Sequence, residues 1–359
     1  MSDESSSADV IVIGAGLAGL VATTALLEQR RSVLLLEASD RPGGRIRSLY
    51  DTETGSVLGD LGPTWVWPAY QPLVEQWLQR LGIETFAQFE TGNAALDYGP
   101  AAQVQFQPLP GQHGIARIAG GPVALIDTLV AKLPEAVMRT GHAVSAVRVD
   151  ENGVQVEASG RKFSAEQVIV ATPMRVAEST INWSPPLADV LVRAMRDTPT
   201  WMSVHAKALI VYPTPFWREA GLSGRIASRA GPLAEAHDVS GEDGNPAALF
   251  GFVGWPHDMR AVDRDGLERE IIVQLVRCFG ESAARPTHLH VEDWAANRFI
   301  CTPGDLAQPM NHPDVGPDIL RQSHANGRIV FAAAETSDVS PGLIEGALAA
   351  GMQAANQLR

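Results

Sequence analysis

Apolar residues fall along this chain in short runs of two kinds. Val10-Ile-Val-Ile13, opened by Asp9, is continuously apolar and leads into Gly14-Ala-Gly16-Leu-Ala-Gly19. That pattern predicts a strand over 9–13 and a helix over about 17–30. Ser32-Val-Leu-Leu-Leu-Glu37 predicts the next strand. The apolar spacing of Gly120 to Leu133 suits a helix, and strands are predicted at Ala143–Val149, Gly153–Glu157 and Gln167–Pro173. A strand at Gly327–Glu335 and a helix from Gly342 to Gln357 close the chain. Ser203 to Tyr212 is another strand-like run, and Lys207 is its only charge. A charge in an apolar strand needs a partner or a water.

The segments 68–117 and 174–320 have a different texture, richer in Trp, Pro and His. Structureless loops of that length are uncommon, so these segments predict a second domain inserted twice into the first. The first domain is then 1–67, 118–173 and 321–359. A small-molecule pocket is expected at the junction.

The glycines after the first strand carry the first chemical signal. Gly14 allows a tight turn, Gly16 lets the backbone approach a pyrophosphate, and Gly19 lets the helix pack on the strand. The helix N-terminus supplies the anion site. Glu37, 21 residues after Gly16, stands where a carboxylate accepts hydrogen bonds from a ribose diol. This is a dinucleotide-binding unit. Asp40-Arg-Pro-Gly-Gly-Arg45 adds a second phosphate-facing loop, which suits FAD, whereas Glu37 would repel the 2′-phosphate of NADP. Residues 10–27 contain no charge, yet the glycine spacing and the acidic residues ahead of them argue against a membrane helix or signal peptide.

Composition narrows the partners. A net charge of −13 over 359 residues argues against a nucleic-acid partner. Cys278 and Cys301 form neither a CxxC nor a disulfide framework, so a reducing cytoplasm is expected. Met1 to Ser7 reads as a disordered polar leader. No metal-ligand cluster, nucleophile elbow or paired-carboxylate signature stands out, which sets hydrolytic and metal-dependent chemistry aside.

Taken in order, five stretches resemble the flavin-containing amine oxidase family, which includes monoamine, polyamine and L-amino acid oxidases. They are Val10 to Gly19 with Glu37; Gly43-Gly-Arg45; Asp60-Leu-Gly-Pro-Thr-Trp65; Lys207 through Pro215-Phe-Trp217; and Gly327 to Phe331 with Glu335-Thr-Ser337 and Gly342 to Gly346. The fold implied is α/β, a Rossmann-like FAD-binding domain of the glutathione-reductase type with an interleaved α+β substrate domain. The resemblance implies that Gly14, Gly16 and Gly19 hold the FAD pyrophosphate and Glu37 the adenosine ribose. Gly44 and Arg45 would serve the phosphate and flavin side, and Val144 would meet the adenine. Glu335 with Thr336 would hold the ribityl chain or its phosphate. Backbone around Leu343 and Ile344 would face the flavin pyrimidine oxygen, where an N–H and a positive helix end stabilise reduced flavin.

Lys207 stands ten residues before Trp217, as the family's water-holding lysine does before its tryptophan, and is the expected catalytic residue. His205, two residues away on the same face, is a candidate for the pocket wall. The sequence also departs from the family. Leu343 stands where a cage tyrosine is common, so Trp65, Trp67, Trp255 or Phe299 would have to supply aromatic walls. Ala333 replaces a glycine beside the flavin. Cys301 falls two residues early for covalent attachment, so noncovalent FAD is expected. No membrane tail follows the last helix, and 68–117 is short, which predicts a soluble protein with an open pocket.

The implied activity is oxidation of a CH–NH bond of a small amine to an imine, with oxygen reoxidising the flavin and hydrogen peroxide released. No metal, nucleic acid or membrane partner is expected, and a homodimer is left open. The rival expectations are a desaturase or protoporphyrinogen-oxidase-like flavoenzyme, and a flavin-binding protein without amine oxidase turnover.

Overall fold

The computed structural model describes residues 7–308 and 311–358. The leader expected at the N-terminus lies, but for Ser7, outside the described residues.

Two sheets face each other across a cavity. The first has eight strands, in the order Met138–Arg139, Val33–Leu36, Ser7–Ile13, Arg161–Val170, Gly153–Ala158, Val144–Asp150 and Asn182–Ser184, with Ile329–Phe331 also pairing Arg161–Val170. The strands at its centre are parallel, with Val10 level with Val33 and Gln167, and Val170 level with Phe331. Parallel strands are covered on both faces, which is why Val10 to Ile13 is apolar without alternation. Val10 and Val12 enter one core with the helices Leu17–Glu28, Val123–Ala131 and Ile344–Gln357, while Ile11 and Ile13 enter the core on the other side.

The second sheet has seven strands in the order His288–Asp293, Ala206–Tyr212, Ala247–Val253, Leu233–Asp238, Leu222–Ser228, Asn93–Asp97 and Gln105–Gln107. All of them come from inside the two segments of different texture. The helix Arg264–Phe279 covers one face, burying Leu267, Ile271 and Leu275. The other face carries Lys207 and Phe250 toward the cavity.

Parts of the expected insertions pack elsewhere. The helix Pro72–Leu81 buries Val74, Trp77 and Leu78 in a core of the first sheet. Its first N–H groups donate to the buried Glu345 carboxylate of the last helix, Leu73 N at 3.0 Å and Val74 N at 2.7 Å. Helices Met174–Thr180 and Asp189–Asp197 likewise bury Met174, Ala177, Leu191 and Met195 there, and Asn182–Ser184 extends that sheet. An apolar helix face goes to whichever sheet face is still open, and a change in composition does not mark that place. The last predicted strand is also shorter than expected. Only Ile329–Phe331 is extended, and after Ala332 N bonds to Val170 O at 2.8 Å the chain coils into a short 3₁₀ turn at Ala334–Thr336.

Candidate active site

A cavity of about 2140 Å³ runs between the sheets. Drug-sized sites span roughly 300–1,000 Å³, so this one has room for an extended cofactor and a substrate together.

One end is built on the glycine turn. Gly14 has φ +100°, a conformation that disfavours a side chain, and donates its N–H to Leu36 O at 2.7 Å. A Cβ on Gly16 would meet nothing within 4 Å, so this residue leaves open space over the cavity. A Cβ on Gly19 would sit 1.9 Å from Gly14 O, which makes Gly19 a packing residue between helix and turn that does not line the cavity. Gly43 N bonds to Ala15 O at 2.8 Å and ties the second glycine loop to the first. The helix that starts at Leu17 has no side-chain cap and no acidic residue in its first turn, so its positive end is left for an anion. Glu37 is buried, with Oε2 accepting from Ala15 N at 2.7 Å and Oε1 from Ser39 N at 2.9 Å and Ser39 Oγ at 2.7 Å. Gly44, Arg45, Val144 and Ile344 also line this side.

Arg45 points its guanidinium at the buried Glu335 carboxylate, with Nη1 to Oε1 at 2.6 Å and Nη2 to Oε2 at 3.0 Å. Trp201 N also donates to Glu335, at 3.0 Å. Here the structure corrects the sequence-based expectation. Glu335 and Thr336 do not line the cavity: Glu335 stands behind Arg45, and the Thr336 hydroxyl donates to Ala333 O at 2.8 Å. The 3₁₀ turn swings both side chains into the protein. Leu343 and Ile344 line the cavity, but the Leu343 N–H is already used by Ser340 O at 3.2 Å, so a donor at this helix start would have to come from Ile344 onward.

The other end is built on the second sheet. Lys207 is 2% exposed, and its Nζ donates to Gly62 O at 2.8 Å and to Thr64 Oγ1 while standing 4.0 Å over the Phe250 ring. Burial lowers its pKa to about 7, against the pull of Asp60 and with the push of Arg117. Behind the lysine, Asp60 lies 3.8 Å from Arg117, and burial raises the acid and lowers the base. Trp65, Trp67, His205, Trp255 and Phe299 all line the cavity. Trp65 donates to Gln88 at 2.9 Å and presents an edge to His237, ring centres 4.8 Å apart. His205 is held below its usual pKa by burial and by Arg260.

Sequence reading missed Gly62, Thr64, Phe250 and Phe252 as site residues. Gly62 and Thr64 sit inside the quoted stretch 60–65. The alternation Phe250-Gly-Phe252 in an apolar run signals two rings on one face. Arg47, Glu292, Arg260 and Asp293 left no local trace, because their ion pairs join residues far apart in the chain.

The residues suit a dinucleotide: an open backbone at Gly16, an uncapped helix start and a buried carboxylate one strand away. Together with a desolvated lysine at the far end, they define a flavin-dependent oxidoreductase. A family model described as flavin containing amine oxidoreductase matches residues 17–114 and 102–359, and the chain belongs to that family. A probable flavin-containing monoamine oxidase A of Dictyostelium discoideum is 26% identical over 263 residues, covering 69% of this chain and 54% of that one, so the chain spans about half of that relative. A putative flavin-containing monoamine oxidase AofH of Mycobacterium tuberculosis is 25% identical over 454 aligned positions, 98% of this chain and 96% of the relative. That alignment is longer than this chain, so the relative carries internal segments absent here. A cyclohexylamine oxidase from Brevibacterium oxydans superposes with a TM-score of 0.81 at 20% identity, covering 98% of each chain, and shares the fold. Among the described residues, no helix is long and apolar enough to cross a membrane.

Proposed function

We propose that this chain oxidises the CH–NH bond of an amine to an imine, with FAD as cofactor and oxygen as electron acceptor. The observation that carries the reading is Lys207, a buried amine held by Gly62 and Thr64 at the end of a cavity whose other end is the glycine turn. FAD bound there would supply the two-electron redox chemistry, with oxygen as the final acceptor and hydrogen peroxide as the product.

The chain's own residues position and desolvate. The tight turn at Gly14, the open backbone at Gly16 and the start of the helix after them would receive the pyrophosphate. Glu37 Oε2 makes one bond within the protein, to Ala15, and a carboxylate oxygen has a second lone pair for a ribose hydroxyl. Gly44 and Arg45 would meet the phosphate and flavin side, with Glu335 fixing the Arg45 fork, and Val144 would meet the adenine. Lys207 would hold a water, and with its pKa near neutrality it can gain or lose a proton there. Aromatic walls favour the neutral amine of the substrate, the form that can be oxidised. Trp65, Phe250 and Phe252 supply rings that the leucine at 343 does not.

Noncovalent FAD is supported by Cys301, which is buried, donates to Thr302 O at 3.6 Å and is not among the cavity-lining residues. Acid precipitation is expected to leave the flavin in the supernatant and the protein colourless. The deciding experiment is anaerobic bleaching of the visible flavin band by a panel of amines, followed by admission of air. Bleaching reversed by air supports the reading. A flavoprotein that no amine bleaches would return weight to the desaturase alternative and to a flavin-binding protein without amine oxidase turnover. Lys207→Met should slow reoxidation by oxygen with flavin still bound.

A further inference from the structure

The sheet register puts four side chains in one row across the cavity wall. Lys207 is level with Glu292 on one side and Phe252 on the other, and Phe252 is level with Glu235. Directly paired residues share a face, so Glu292, Lys207, Phe252 and Glu235 project together. Lys207 and Glu235 are two strand spacings apart, roughly 10 Å. The space between them is aromatic: Phe252 lies in the row, Phe250 sits beneath Lys207, and the Trp65 ring is 5.2 Å from Phe250.

Among the described residues of this sheet that line the cavity, four are carboxylates, and three of these have an arginine. Glu292 takes Arg47 at 2.8 Å, Asp293 takes Arg260 at 2.7 Å, and Asp97 takes Arg277 at 2.7 Å. Glu235 has none within ion-pair distance. Its partner is His237 Nε2 at 3.4 Å, the Arg225 charge acts on it from farther off, and its side chain, half exposed, belongs to a residue that lines the cavity. The histidine contact is the main cause that lowers its pKa, so the carboxylate stays ionised.

The arrangement separates two demands on an amine. The nitrogen to be oxidised must shed its proton, and a bare carboxylate beside it would hold that proton on. Arg47 removes that obstacle by neutralising Glu292. A second nitrogen at the far end of the substrate has no such constraint and gains from an ionised carboxylate. Building on the amine oxidase reading, we propose that Glu235 is a specificity residue that binds the distal ammonium of an α,ω-diamine, whose methylene chain lies along Phe252, Phe250 and Trp65. The oxidation itself is the one described above, at the proximal amine, with oxygen as acceptor.

The test compares hexane-1,6-diamine and butane-1,4-diamine with hexylamine and butylamine on the flavin-loaded protein, wild type and Glu235→Gln. The wild type is expected to prefer each diamine over the monoamine of equal length. In the Gln variant the diamine-to-monoamine ratio of kcat/KM should fall by about ten- to a hundredfold, the range of one hydrogen bond to a charged group. The loss should appear in KM for the diamine more than in kcat, and Glu235→Asp should restore part of it. Rapid equilibrium titration under anaerobic conditions, read from the flavin band before reduction, should give the same ratio for binding alone. Equal use of diamine and monoamine by the wild type, or an unchanged ratio in the Gln variant, would overturn the proposal while leaving amine oxidation standing. Bleaching by no amine of either kind would sink the oxidase reading and this proposal with it.

Discussion

Replacing Lys207 with methionine removes a buried amine while keeping most of its volume, and the pH dependence of stability then reports the amine's state. In the folded protein its pKa is about 7, and in the unfolded chain it returns to about 10.5. Asp60 favours the charged form and Arg117 opposes it, so burial decides the direction. Between those two pKa values the unfolded chain binds the proton and the folded protein does not. Wild-type stability therefore rises with pH across that window, by about 2 kcal/mol between pH 7 and 9. With an unfolding entropy of about 2.1 cal/mol/K per residue, this is about 3 °C in Tm for a chain of this length. The assay is a set of thermal melts of wild type and Lys207→Met at both pH values, with the difference between the two proteins cancelling all other titrating groups. The methionine variant's Tm relative to wild type should drop by about 3 °C on going from pH 7 to pH 9. A difference that stays constant across the two pH values would refute a depressed lysine.

Two glycines of the same motif, Gly16 in the turn and Gly19 in the helix after it, should behave oppositely. Gly16→Ala places a methyl in open space at φ −69°, so stability should change by about 1 kcal/mol or less, the N-cap preference alone, while flavin titration shows lost affinity. Gly19→Ala drives a methyl to 1.9 Å from Gly14 O, and urea denaturation should show a loss of about 3 kcal/mol. Equal stability in the two variants would mean that the helix does not press on the turn. Glu335→Gln removes the charge that both nitrogens of Arg45 address, and a loss of about 3 kcal/mol in denaturant is expected for a carboxylate buried in this way. A variant as stable as wild type would show that water already screens the pair.

The chemistry at the nucleotide end was legible in the sequence because it is local. A strand, three glycines and an acid within 37 residues encode a turn, an open backbone and a carboxylate with no help from distant parts of the chain. The apolar, unalternating texture of 10–13 likewise announced a strand covered on both faces, and the single charge in 203–212 announced a lysine in need of partners. What the sequence could not give was where side chains end up after the sheets close. Glu335 reads as a cofactor ligand until the 3₁₀ turn puts it behind Arg45, and Pro72–Leu81 reads as part of the insertion until its apolar stripe meets the last helix. The partners of Lys207 come from a loop more than 140 residues earlier. The place of Glu235 in the proposal comes only from strand register, which sets it level with Phe252, itself level with Lys207, and with no arginine at ion-pair distance. Local backbone chemistry is written in neighbouring residues, whereas burial, pairing and register are settled by the whole packed chain.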